Sequence, residues 1–453
     1  MSGCVTITMD LTSALKERAL ASGFDLAGIV SFDALPPSFW DDLNFARRWV
    51  DGGYGGEMHY LANPKRDDPR RILPSVKSVI CVGLVYNAPL PYSTEVTEGS
   101  ERSAVSSRQK AVGSRQKAAG GDERLDLTSR VSSFELRTSN PEFRVSNHGW
   151  ISRYAWGRDY HRVMRAKLER LRAGIEAHAP GVETRVYVDT GPIVERALAR
   201  YSGIGWVGKN TCLINQEKGS WFFLGTILTS LDLAPDFPAP DRCGSCTRCL
   251  EACPTGALVE PYVMDASRCI SYFTIELKGS IPLEFRPAVG RHVFGCDICQ
   301  DVCPWNSSQS PAVNNVSGQL PEGVQLSAVS YQPRQVGTTD RTEFQPLQVA
   351  LPEPRGPDLQ AADGPSSNAT AFSLFNPPLE ALASLSDEDF RRVFSNSPIK
   401  RAKYRGWLRN LCVAMGNSGN AHFVPWLERA RQHPDPVVRE HAEWALQRVK
   451  VEG

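Results

Sequence analysis

The chain lacks an excess of charge of either sign: its 51 lysines and arginines stand against 50 acidic residues, a formal net charge of +1 over 453 residues. No overall field therefore draws it to nucleic acid or to a membrane surface, and any such binding requires a local patch. A secretory leader pattern is absent from the first residues, and no apolar run approaches the roughly 20 residues of a membrane span. We therefore expect a cytoplasmic protein without membrane contact.

Common nucleotide-binding signatures are also absent. Neither G-x-G-x-x-G after a strand nor G-x-x-x-x-G-K-[ST] occurs, which excludes the dinucleotide fingerprint and the P-loop. The glycine-rich segment 203–209 ends in lysine but lacks the P-loop spacing. Glycines of this kind allow close backbone approach to a ligand or simply form turns, so both interpretations are open for this segment.

Cysteine, in contrast, is concentrated in one stretch. Eight of the twelve cysteines lie within 243–303, and they include a complete C-x2-C-x2-C-x3-C-P run that ends at Pro254. This spacing is typical of bacterial ferredoxins with two iron–sulfur clusters, in which the fourth cysteine of each run binds the other cluster. The chain is therefore predicted to transfer electrons.

The second cysteine run is incomplete, because Val293 stands where its first cysteine would be. Cys269 is the free cysteine nearest to this run and is predicted to replace the missing ligand. Eight thiolates then suit two [4Fe–4S] clusters. The first set is Cys243, Cys246, Cys249 and Cys303, and the second set is Cys253, Cys269, Cys296 and Cys299.

Two other interpretations of these cysteines are weaker. Zinc ribbons pair two C-x2-C knuckles and do not need a third cysteine in the run or the C-P ending. Disulfides do not suit closely spaced thiols in a reducing cytosol. The remaining cysteines, including Cys212, are interpreted as small buried hydrophobic residues.

The sequence divides into four parts and predicts a multidomain α+β fold. Residues 1–240 are predicted to form an α/β domain with a low-complexity insertion at about 92–147, and residues 241–305 the ferredoxin-like cluster module. Residues 306–371 are predicted to be mostly disordered, because they lack apolar periodicity. Residues 372–453 are predicted to be helical, with short paired helices of the HEAT type.

Local patterns place elements within these parts. Residues 79–86 predict a strand covered on both faces, and 160–178 predict an amphipathic helix. Further helices are predicted over about 193–200 and 399–415. In the tail, Ser386 with Asp389 forms a capping-box pattern, and Asp435 before Pro436 predicts the start of the last helix.

Asp189 follows a short predicted strand, 186–188, and precedes Thr190-Gly191-Pro192. Ligands collect at the carboxyl ends of strands in open α/β sheets. An acid placed there can deliver a proton if a pocket of low dielectric raises its pKa. The alternative is that Asp189 caps the helix that begins near Pro192. The sequence leaves both interpretations open.

The helical tail contains a one-signed basic segment. Tyr404 and Trp407 lie among its cations, and no acidic residue interrupts it. Such a patch can neutralise phosphates, and the aromatic rings can stack on unpaired bases. A solvated basic helix face is the alternative. The cations are Arg391, Arg392, Lys400, Arg401, Lys403, Arg405 and Arg409.

Taken in order, these motifs resemble the epoxyqueuosine reductases, cobalamin-dependent iron–sulfur enzymes of tRNA modification. The resemblance runs through the whole chain apart from the two insertions. It is carried by Lys65-Arg66-x-x-Pro69, 153–161, Val188-Asp189-Thr190-Gly191, 203–210, the cysteines with Cys269-Ile270-Ser271, Glu276-Leu277-Lys278-Gly279, Gly295-Cys296-Asp297, Lys400-Arg401 and 409–417.

The resemblance implies reduction of epoxyqueuosine to queuosine at the wobble position of tRNA. It implies two [4Fe–4S] clusters, fed by ferredoxin or flavodoxin, that supply electrons to cobalamin as cob(I)alamin. It also implies a monomer with a nitroreductase-like cobalamin-binding domain. His161 matches only the first half of the cobalamin-ligating pattern D-x-H-x-x-G, so we do not expect it to ligate cobalt.

Site residues follow from the same resemblance. Asp189 is implied as the catalytic proton donor. The implied corrinoid-lining residues are Arg66, Ser152, Asp189, Leu213, Leu224, Ile227, Ser271, Cys296 and Asp297. The implied contacts to the tRNA anticodon stem-loop are Lys278, Lys400, Arg401, Arg405 and Arg409.

Three competing functions remain open at this point. A corrinoid and iron–sulfur reductive dehalogenase would share the cofactors but has no use for a basic helical tail. A ferredoxin-type electron carrier would have the clusters without a corrinoid. The third is an RNA-binding protein whose clusters are only structural. The length of the insertion after Trp305 also leaves open where the tail docks.

Overall fold

The protein is seen in a computed structural model that describes residues 2–89, 147–306, 337–350 and 371–452. The predicted insertion at 92–147 lies outside the described residues except for its last one. The predicted linker is described only at 306, 337–350 and 371.

The described part of the chain contains α-helices in all three folded regions. In chain order they are α1 (Ser2–Ala21), α2 (Pro37–Asp51), α3 (Tyr160–His178), α4 (Glu195–Tyr201), α5 (Arg248–Ala252), α6 (Arg286–Val289), α7 (Ile298–Asp301), α8 (Leu379–Ala383), α9 (Asp387–Val393), α10 (Lys403–Asn417), α11 (Val424–Ala430) and α12 (Pro436–Glu452). A π-helical turn at Tyr272–Glu276 and a 3-10 helix at Pro398–Ala402 also matter for the site.

One four-stranded sheet forms the centre of the N-terminal domain, and the other strands are short pairs. The strands are β1 (Leu26–Ser31), β2 (Ser78–Val85), β3 (Trp150–Ile151), β4 (Thr184–Tyr187), β5 (Trp206–Val207), β6 (Leu213–Ile214), β7 (Phe222–Thr229), β8 (Leu258–Glu260), β9 (Val263–Met264), β10 (His292–Phe294), β11 (Gln348–Ala350) and β12 (Ala371–Ser373).

The large sheet has the order β1-β2-β7-β4, and all of its pairs are antiparallel. The domain is therefore α+β, and its prediction as α/β is corrected in that respect. The apolar run 79–86 does not distinguish a parallel from an antiparallel sheet, because a strand covered on both faces is apolar whatever the direction of its neighbours.

Helices cover both faces of this sheet. On one face, Leu15 of α1 and Leu168 of α3 pack with Ile80 and Ile227. On the other face, Phe39 of α2 and Leu198 of α4 pack with strand residues of the opposite parity. Every residue of β2 is buried as a result. The predicted helix 160–178 is confirmed at both ends, with Asp159 capping its N-terminus.

The cluster module joins the N-terminal domain through a parallel pair of short strands. His292 of β10 lies opposite Trp150 of β3, and Phe294 lies opposite Ile151. The same strand packs against the tail: Asn410 of α10 donates hydrogen bonds to the carbonyls of Val293 and Thr274, both at 2.8 Å. The tail is thus docked on the cluster module.

The tail begins with strand β12, which corrects the prediction of an all-helical tail at 372–373, and the described residues after it contain only helices and loops. The capping box of Ser386 and Asp389 is present at the start of α9. Asp435 accepts a hydrogen bond from the Val437 backbone N–H at 2.9 Å at the start of α12. The predicted helix 399–415 is divided into the 3-10 helix Pro398–Ala402 and α10, because Lys403 adopts a left-handed φ of 60° between them.

Part of the predicted disordered linker is folded, which corrects that prediction for 337–350. Phe344 is buried at 2% exposure, with its ring centroid 5.3 Å from that of Phe223. Arg341 forms an ion pair with Asp25 at 2.8 Å. The segment has no apolar periodicity of its own, and contacts with the N-terminal domain stabilise it instead. None of the helices that the structure describes is both long and apolar enough to cross a bilayer.

Candidate active site and iron–sulfur centres

The first predicted cysteine set surrounds one cavity. This cavity is lined by Cys243, Cys246, Cys249 and Cys303, together with Lys209 and Trp305. Burial, with the nearby Cys243 and Cys249 thiols, raises the pKa of Cys303 to about 12. Four soft sulfur donors around one cavity fit a [4Fe–4S] cluster, whose iron would favour the thiolate form.

The second set also converges. Burial raises the pKa of Cys296 well above its usual value, and the negative charges of Cys269 and Cys253 raise it further. Cys299 is affected by Cys296 and Cys269 in the same way. The four sulfur groups are therefore near enough to interact, and the role of Cys269 as the replacement ligand stays a prediction.

The glycine-rich segment 203–209 lies between the two cluster sites. The Lys209 ammonium donates to the carbonyls of Gly244 at 2.6 Å and Cys246 at 3.0 Å. The Asn210 amide donates to the Cys299 carbonyl at 3.2 Å. A Cβ on Gly205 would stand 2.2 Å from the Ile214 carbonyl oxygen, so that glycine permits a close backbone contact. The segment braces both cluster loops.

Cys212 belongs to this brace and is not the simple hydrophobic residue that the sequence indicated. It is half-buried, and its thiol lies near enough to Cys299 for the two thiols to shift each other's pKa. No spacing rule in the sequence pairs these two cysteines, which are far apart along the chain. Only the folded loop brings them together.

Asp189 lies just after β4 in a cluster of polar and charged side chains, which we call the active-site mouth. The cluster also contains Tyr160, His161, Glu195, Arg66 and Arg401. The Asp189 side chain is 57% exposed, and its Oδ2 accepts hydrogen bonds from the Tyr160 hydroxyl at 2.8 Å and from His161 Nε2 at 3.3 Å. Its backbone N–H donates to the Glu195 carboxylate at 2.9 and 3.0 Å. Helix α4 begins later, at Glu195, with Val194 before it. The helix-capping interpretation of Asp189 is therefore wrong.

The backbone of Asp189 is strained. Its φ of 54° lies in the left-handed region, which a residue with a side chain rarely adopts outside turns and functional sites. The bidentate contact of Glu195 with the Asp189 N–H holds this conformation. Burial raises the pKa of Glu195 to about 8, and the Asp189 charge raises it further.

The charge of Asp189 is set by its neighbours. The surrounding protein withdraws water from the carboxylate and opposes its ionisation, but hydrogen bonds from His161 and Tyr160 outweigh this effect and lower its pKa. His161 is also partly desolvated, yet its bonds to Asp159 and Asp189 raise its pKa to about 9. The raised pKa that the sequence argument required of Asp189 is therefore not found, and its neighbour holds the proton instead.

Two arginines reach the same mouth from different domains. Arg66 Nη1 donates to the Gly191 carbonyl at 3.2 Å, in the loop that carries Asp189. Arg401, from the tail, forms an ion pair with Glu276 and lies 5.6 Å from the ring centroid of Tyr60. The tail thus contributes Arg401 to the active-site mouth.

Asp297 anchors the cluster-side wall. It is 1% exposed, and it accepts hydrogen bonds from the Ser152 hydroxyl at 2.5 Å and the Arg153 backbone N–H at 2.8 Å. Ser152 is buried as well. These two residues hold the chain next to Cys296, and their side-chain polar atoms are already paired with each other.

The apolar residues implied as corrinoid contacts are not all gathered here. Leu224 is half-buried, and Leu213, 5% exposed, packs in the same cluster as Leu224 on one face of the sheet. Ile227 lies on the opposite face, is 0% exposed, and sits on a strand paired on both sides. Its assignment as a corrinoid contact is therefore corrected. Ser271 is half-buried beside Cys269.

Arg409 is also corrected, as an RNA contact. It is 1% exposed, and its guanidinium donates to the carbonyls of Leu277 and Gly279, both at 2.8 Å, and to the Phe273 carbonyl. A guanidinium held in this way cannot reach a phosphate at the surface. The residue joins the tail to the π-helical turn.

The basic segment is not one-signed in three dimensions. Lys400 pairs with Asp159 at 2.7 Å and Arg405 with Asp435 at 2.8 Å, and Arg401 pairs with Glu276 as above. Arg391 and Arg392 pair with acids of α9. Of the cations implied to bind RNA, Lys278, Lys400, Arg401 and Arg405 have exposed side chains at the surface.

A two-cluster cysteine module together with a separate cluster of polar and charged side chains around Asp189 is typical of a class of protein, the iron–sulfur oxidoreductases, in which clusters deliver electrons to a site where the substrate reacts. Two family models match the sequence. The model described as 4Fe-4S double cluster binding domain matches 242–306, and the one described as Epoxyqueuosine reductase QueG, DUF1730 matches 129–190, which ends just after Asp189.

Full-length relatives give the family. The epoxyqueuosine reductase of Pseudomonas aeruginosa is 34% identical over 445 residues, which cover 97% of this chain and 94% of the relative. That of Escherichia coli is 32% identical, over 96% of this chain and 89% of the relative. This chain belongs to the epoxyqueuosine reductase family.

Solved structures agree. A crystal structure of epoxyqueuosine reductase with an epoxyqueuosine-modified tyrosine tRNA stem loop is 27% identical, has a TM-score of 0.65, and matches 97% of this chain and 90% of that one. The enzyme from Bacillus subtilis, with its catalytic aspartate loop swung out of the active site, has a TM-score of 0.64, 27% identity and the same coverage.

Proposed function

We propose that the protein reduces the epoxide of epoxyqueuosine in tRNA to the alkene of queuosine. The observation that carries this proposal is the full-length match to epoxyqueuosine reductases together with a gathered, exposed Asp189 beside a two-cluster module. The reaction takes up two electrons and two protons and releases water. We infer that a ferredoxin or flavodoxin supplies the electrons, which the two [4Fe–4S] clusters pass on singly.

We infer that cobalamin occupies the pocket between Asp189 and the second cluster and supplies, when bound, a low-valent cobalt able to reduce the epoxide. Arg66, Ser271 and the backbone at Cys296 would hold it. The polar mouth offers donors and acceptors suited to the carboxamides of a corrin rim. Both ring nitrogens of His161 are occupied, by Asp159 and Asp189, which supports the expectation that His161 does not ligate cobalt.

Asp189 is the residue we assign to proton delivery at the oxygen of the epoxide. Its exposure at the mouth and its position on a short loop support this role. The swung-out catalytic aspartate loop of the Bacillus subtilis enzyme fits a loop that moves when substrate or cofactor enters. We also infer the finer fold labels: a nitroreductase type for the N-terminal domain and a HEAT type for the tail.

The tail and the π-helical turn are inferred to hold the tRNA anticodon stem-loop. Arg401 and Arg405 lie on the tail at the surface, Lys278 follows the turn, and Arg401 reaches the active-site mouth. Unpaired loop bases can be splayed into a pocket, which bases within a duplex cannot. We infer that the enzyme acts on this substrate in the cytoplasm and as a monomer.

The deciding experiment uses tRNA that carries epoxyqueuosine. The protein is reconstituted anaerobically with iron, sulfide and cobalamin, and its absorption spectrum is checked for corrin bands. It is then incubated with the tRNA and a low-potential reductant, and the digested nucleosides are weighed by mass spectrometry. We expect a product that has lost one oxygen atom. Intact epoxide in a fully loaded sample would contradict the proposed function.

A further inference from the structure

A continuous line of charged groups connects the tail to Asp189. The Lys400 ammonium contacts Asp159 Oδ2 at 2.7 Å, Asp159 Oδ1 contacts His161 Nδ1 at 2.8 Å, and His161 Nε2 contacts Asp189 Oδ2 at 3.3 Å. The expected proton donor is the exposed end of this line. His161 is its centre, and the sequence argument had given this residue no chemical role.

The geometry and the lowered pKa of Asp189 together indicate where the protons lie. Asp159 is buried at 4% exposure, and it accepts hydrogen bonds from Lys400 and from the His161 backbone and ring, so it is a carboxylate. Asp189 Oδ2 accepts from the Tyr160 hydroxyl and also faces His161. An ionised carboxylate only accepts hydrogen bonds, so both ring nitrogens of His161 carry hydrogen. The ring is an imidazolium, and Asp189 has no proton of its own.

We propose that His161 is the proton store of this active site: it passes its Nε2 proton through Asp189 to the oxygen that leaves the epoxide. The inference rests on the proposed function and deepens it. His161 acts through Asp189, so it is a positioning residue that also holds the proton, whereas Asp189 touches the substrate. Asp159, which is itself paired with Lys400, holds the His161 ring at Nδ1, on the side away from Asp189.

The proton balance of the reaction needs such a store. Two electrons from the reduced clusters break the two C–O bonds of the epoxide and leave an alkene, and the departing oxygen takes up two protons to become water. His161 supplies the first of these protons through Asp189, and the same route supplies the second after solvent water has reprotonated the ring. The His161 side chain is 31% exposed, so solvent water can return the proton to the ring afterwards.

Several charged groups face this pair from the surrounding elements. Tyr160 stacks on the His161 ring with centroids 4.1 Å apart. Glu195 of α4 faces Asp189, and Arg66 and Arg401 act on the pair from the mouth. Desolvation lowers the pKa of His161, but its two carboxylate partners raise it to about 9, so the imidazolium persists through neutral pH. It is lost as the pH rises through that value.

The test compares His161→Gln with His161→Lys in the fully loaded enzyme. Glutamine keeps hydrogen bonding but cannot hold the proton, whereas lysine can. We expect His161→Gln to lower single-turnover kcat by about 10²-fold, in the range of a lost proton-transfer group, with unchanged iron content and tRNA affinity. We expect His161→Lys to recover part of the rate. His178→Gln, at the exposed C-terminal end of the same helix, serves as the matched control and should equal the wild type.

Two pH measurements distinguish a proton store from a structural bridge. The wild-type rate should fall above about pH 9, and His161→Gln should lack that alkaline limb. The second measurement does not depend on activity. The histidine ring signal that is present in NMR spectra of the wild type but absent from those of His161→Gln belongs to His161. This signal should titrate near pH 9 in the wild type and at lower pH in Asp189→Asn.

The outcomes separate this inference from the proposed function. If the wild type forms no queuosine, the proposed function is wrong whatever His161 does. If the wild type forms queuosine and His161→Gln matches its rate and its pH profile, the function stands and the proton store is overturned. A ring signal that titrates at the ordinary histidine pKa would overturn it as well.

Discussion

At the scale of single residues, Asp189 shows how a functional group is held ready. Its left-handed backbone conformation carries a cost of about 1–3 kcal/mol that the surrounding structure must offset. Glu195 binds its N–H, and Tyr160 and His161 hold its carboxylate. Three residues from two helices therefore hold the backbone and side chain of Asp189, which is more support than a helix cap would need.

Asp189→Asn should keep both clusters and the corrinoid but lose most of its turnover. The amide is of nearly the same size and cannot deliver a proton, so we expect single-turnover kcat to fall by about 10²–10⁴-fold. Product formation by mass spectrometry measures the loss, and iron analysis and absorption spectra check the cofactors. Asp33→Asn, an exposed carboxylate elsewhere in the domain, is the matched control. An unchanged rate would show that Asp189 does not take part in the reaction.

Arg409 and Arg405 lie four residues apart, but we expect their replacement to change the free energy of unfolding by very different amounts. Arg409→Met strips the carbonyls of Phe273, Leu277 and Gly279 of their donor, and we expect the free energy of unfolding to fall by about 3 kcal/mol. Arg405→Met breaks only a surface ion pair, worth about 1 kcal/mol or less. Urea unfolding of the two variants makes the comparison. Equal stabilities would contradict the structural role of Arg409.

At the scale of elements, the loop between β5 and β6 links two electron carriers that are separate in sequence. Lys209 binds the carbonyls of the first cluster loop, and Asn210 binds the carbonyl of Cys299 in the second. A cation near the first site favours the more negative, reduced state of its cluster. The loop therefore affects both the spacing of the clusters and the potential of one of them.

Lys209→Met should lower the midpoint potential of the first cluster. Removing one positive charge costs the reduced cluster roughly 1 kcal/mol of interaction at an effective protein dielectric. An anaerobic redox titration followed by electron paramagnetic resonance measures the shift. The second cluster should change less, and Lys77→Met, an exposed lysine away from the module, should change neither. Equal shifts of both clusters would point to general unfolding of the loop instead.

At the scale of the whole molecule, the tail is part of the catalytic unit and not an attached RNA-binding domain. One continuous core includes Trp150 and Ile151 of the N-terminal domain, Val293 of the cluster module and Leu411 of α10. Lys400 and Arg401 extend from this tail to Asp159 and Glu276. Binding of tRNA to the tail can therefore act directly on the groups around Asp189.

Replacing Arg401 and Arg405 together with methionine should weaken tRNA binding and flatten its salt dependence. If each cation neutralises one phosphate, the slope of log affinity against log salt should decrease by about 2. Filter binding or fluorescence anisotropy across a salt series measures both quantities. The double variant of Arg165 and Arg172 on α3 removes the same charge away from the tail and should leave the slope unchanged. Identical slopes for the wild type and the Arg401 and Arg405 double variant would indicate that these cations form only a solvated helix face and do not contact phosphates.

The sequence by itself determined what depends on local order along the chain. The spacing of the cysteines predicted a module for two iron–sulfur clusters, which the match to a 4Fe-4S double cluster binding domain confirms, since cluster binding is defined by spacing and by the type of donor. The period of apolar residues specified helix 160–178 and the buried strand, and capping residues marked the starts of α9 and α12. Asp189 could be singled out because it follows a strand.

Only the tertiary structure decided which groups face one another. The acids that neutralise the basic tail, the burial of Arg409, the contact of Cys212 with Cys299 and the antiparallel sheet all join segments far apart in sequence. His161 lies 28 residues from Asp189 and depends on it through space. Charge and hydrogen bonding act over a few ångströms in any direction, whereas a sequence pattern records neighbours along one direction only, so the proton on His161 could be found only in the fold.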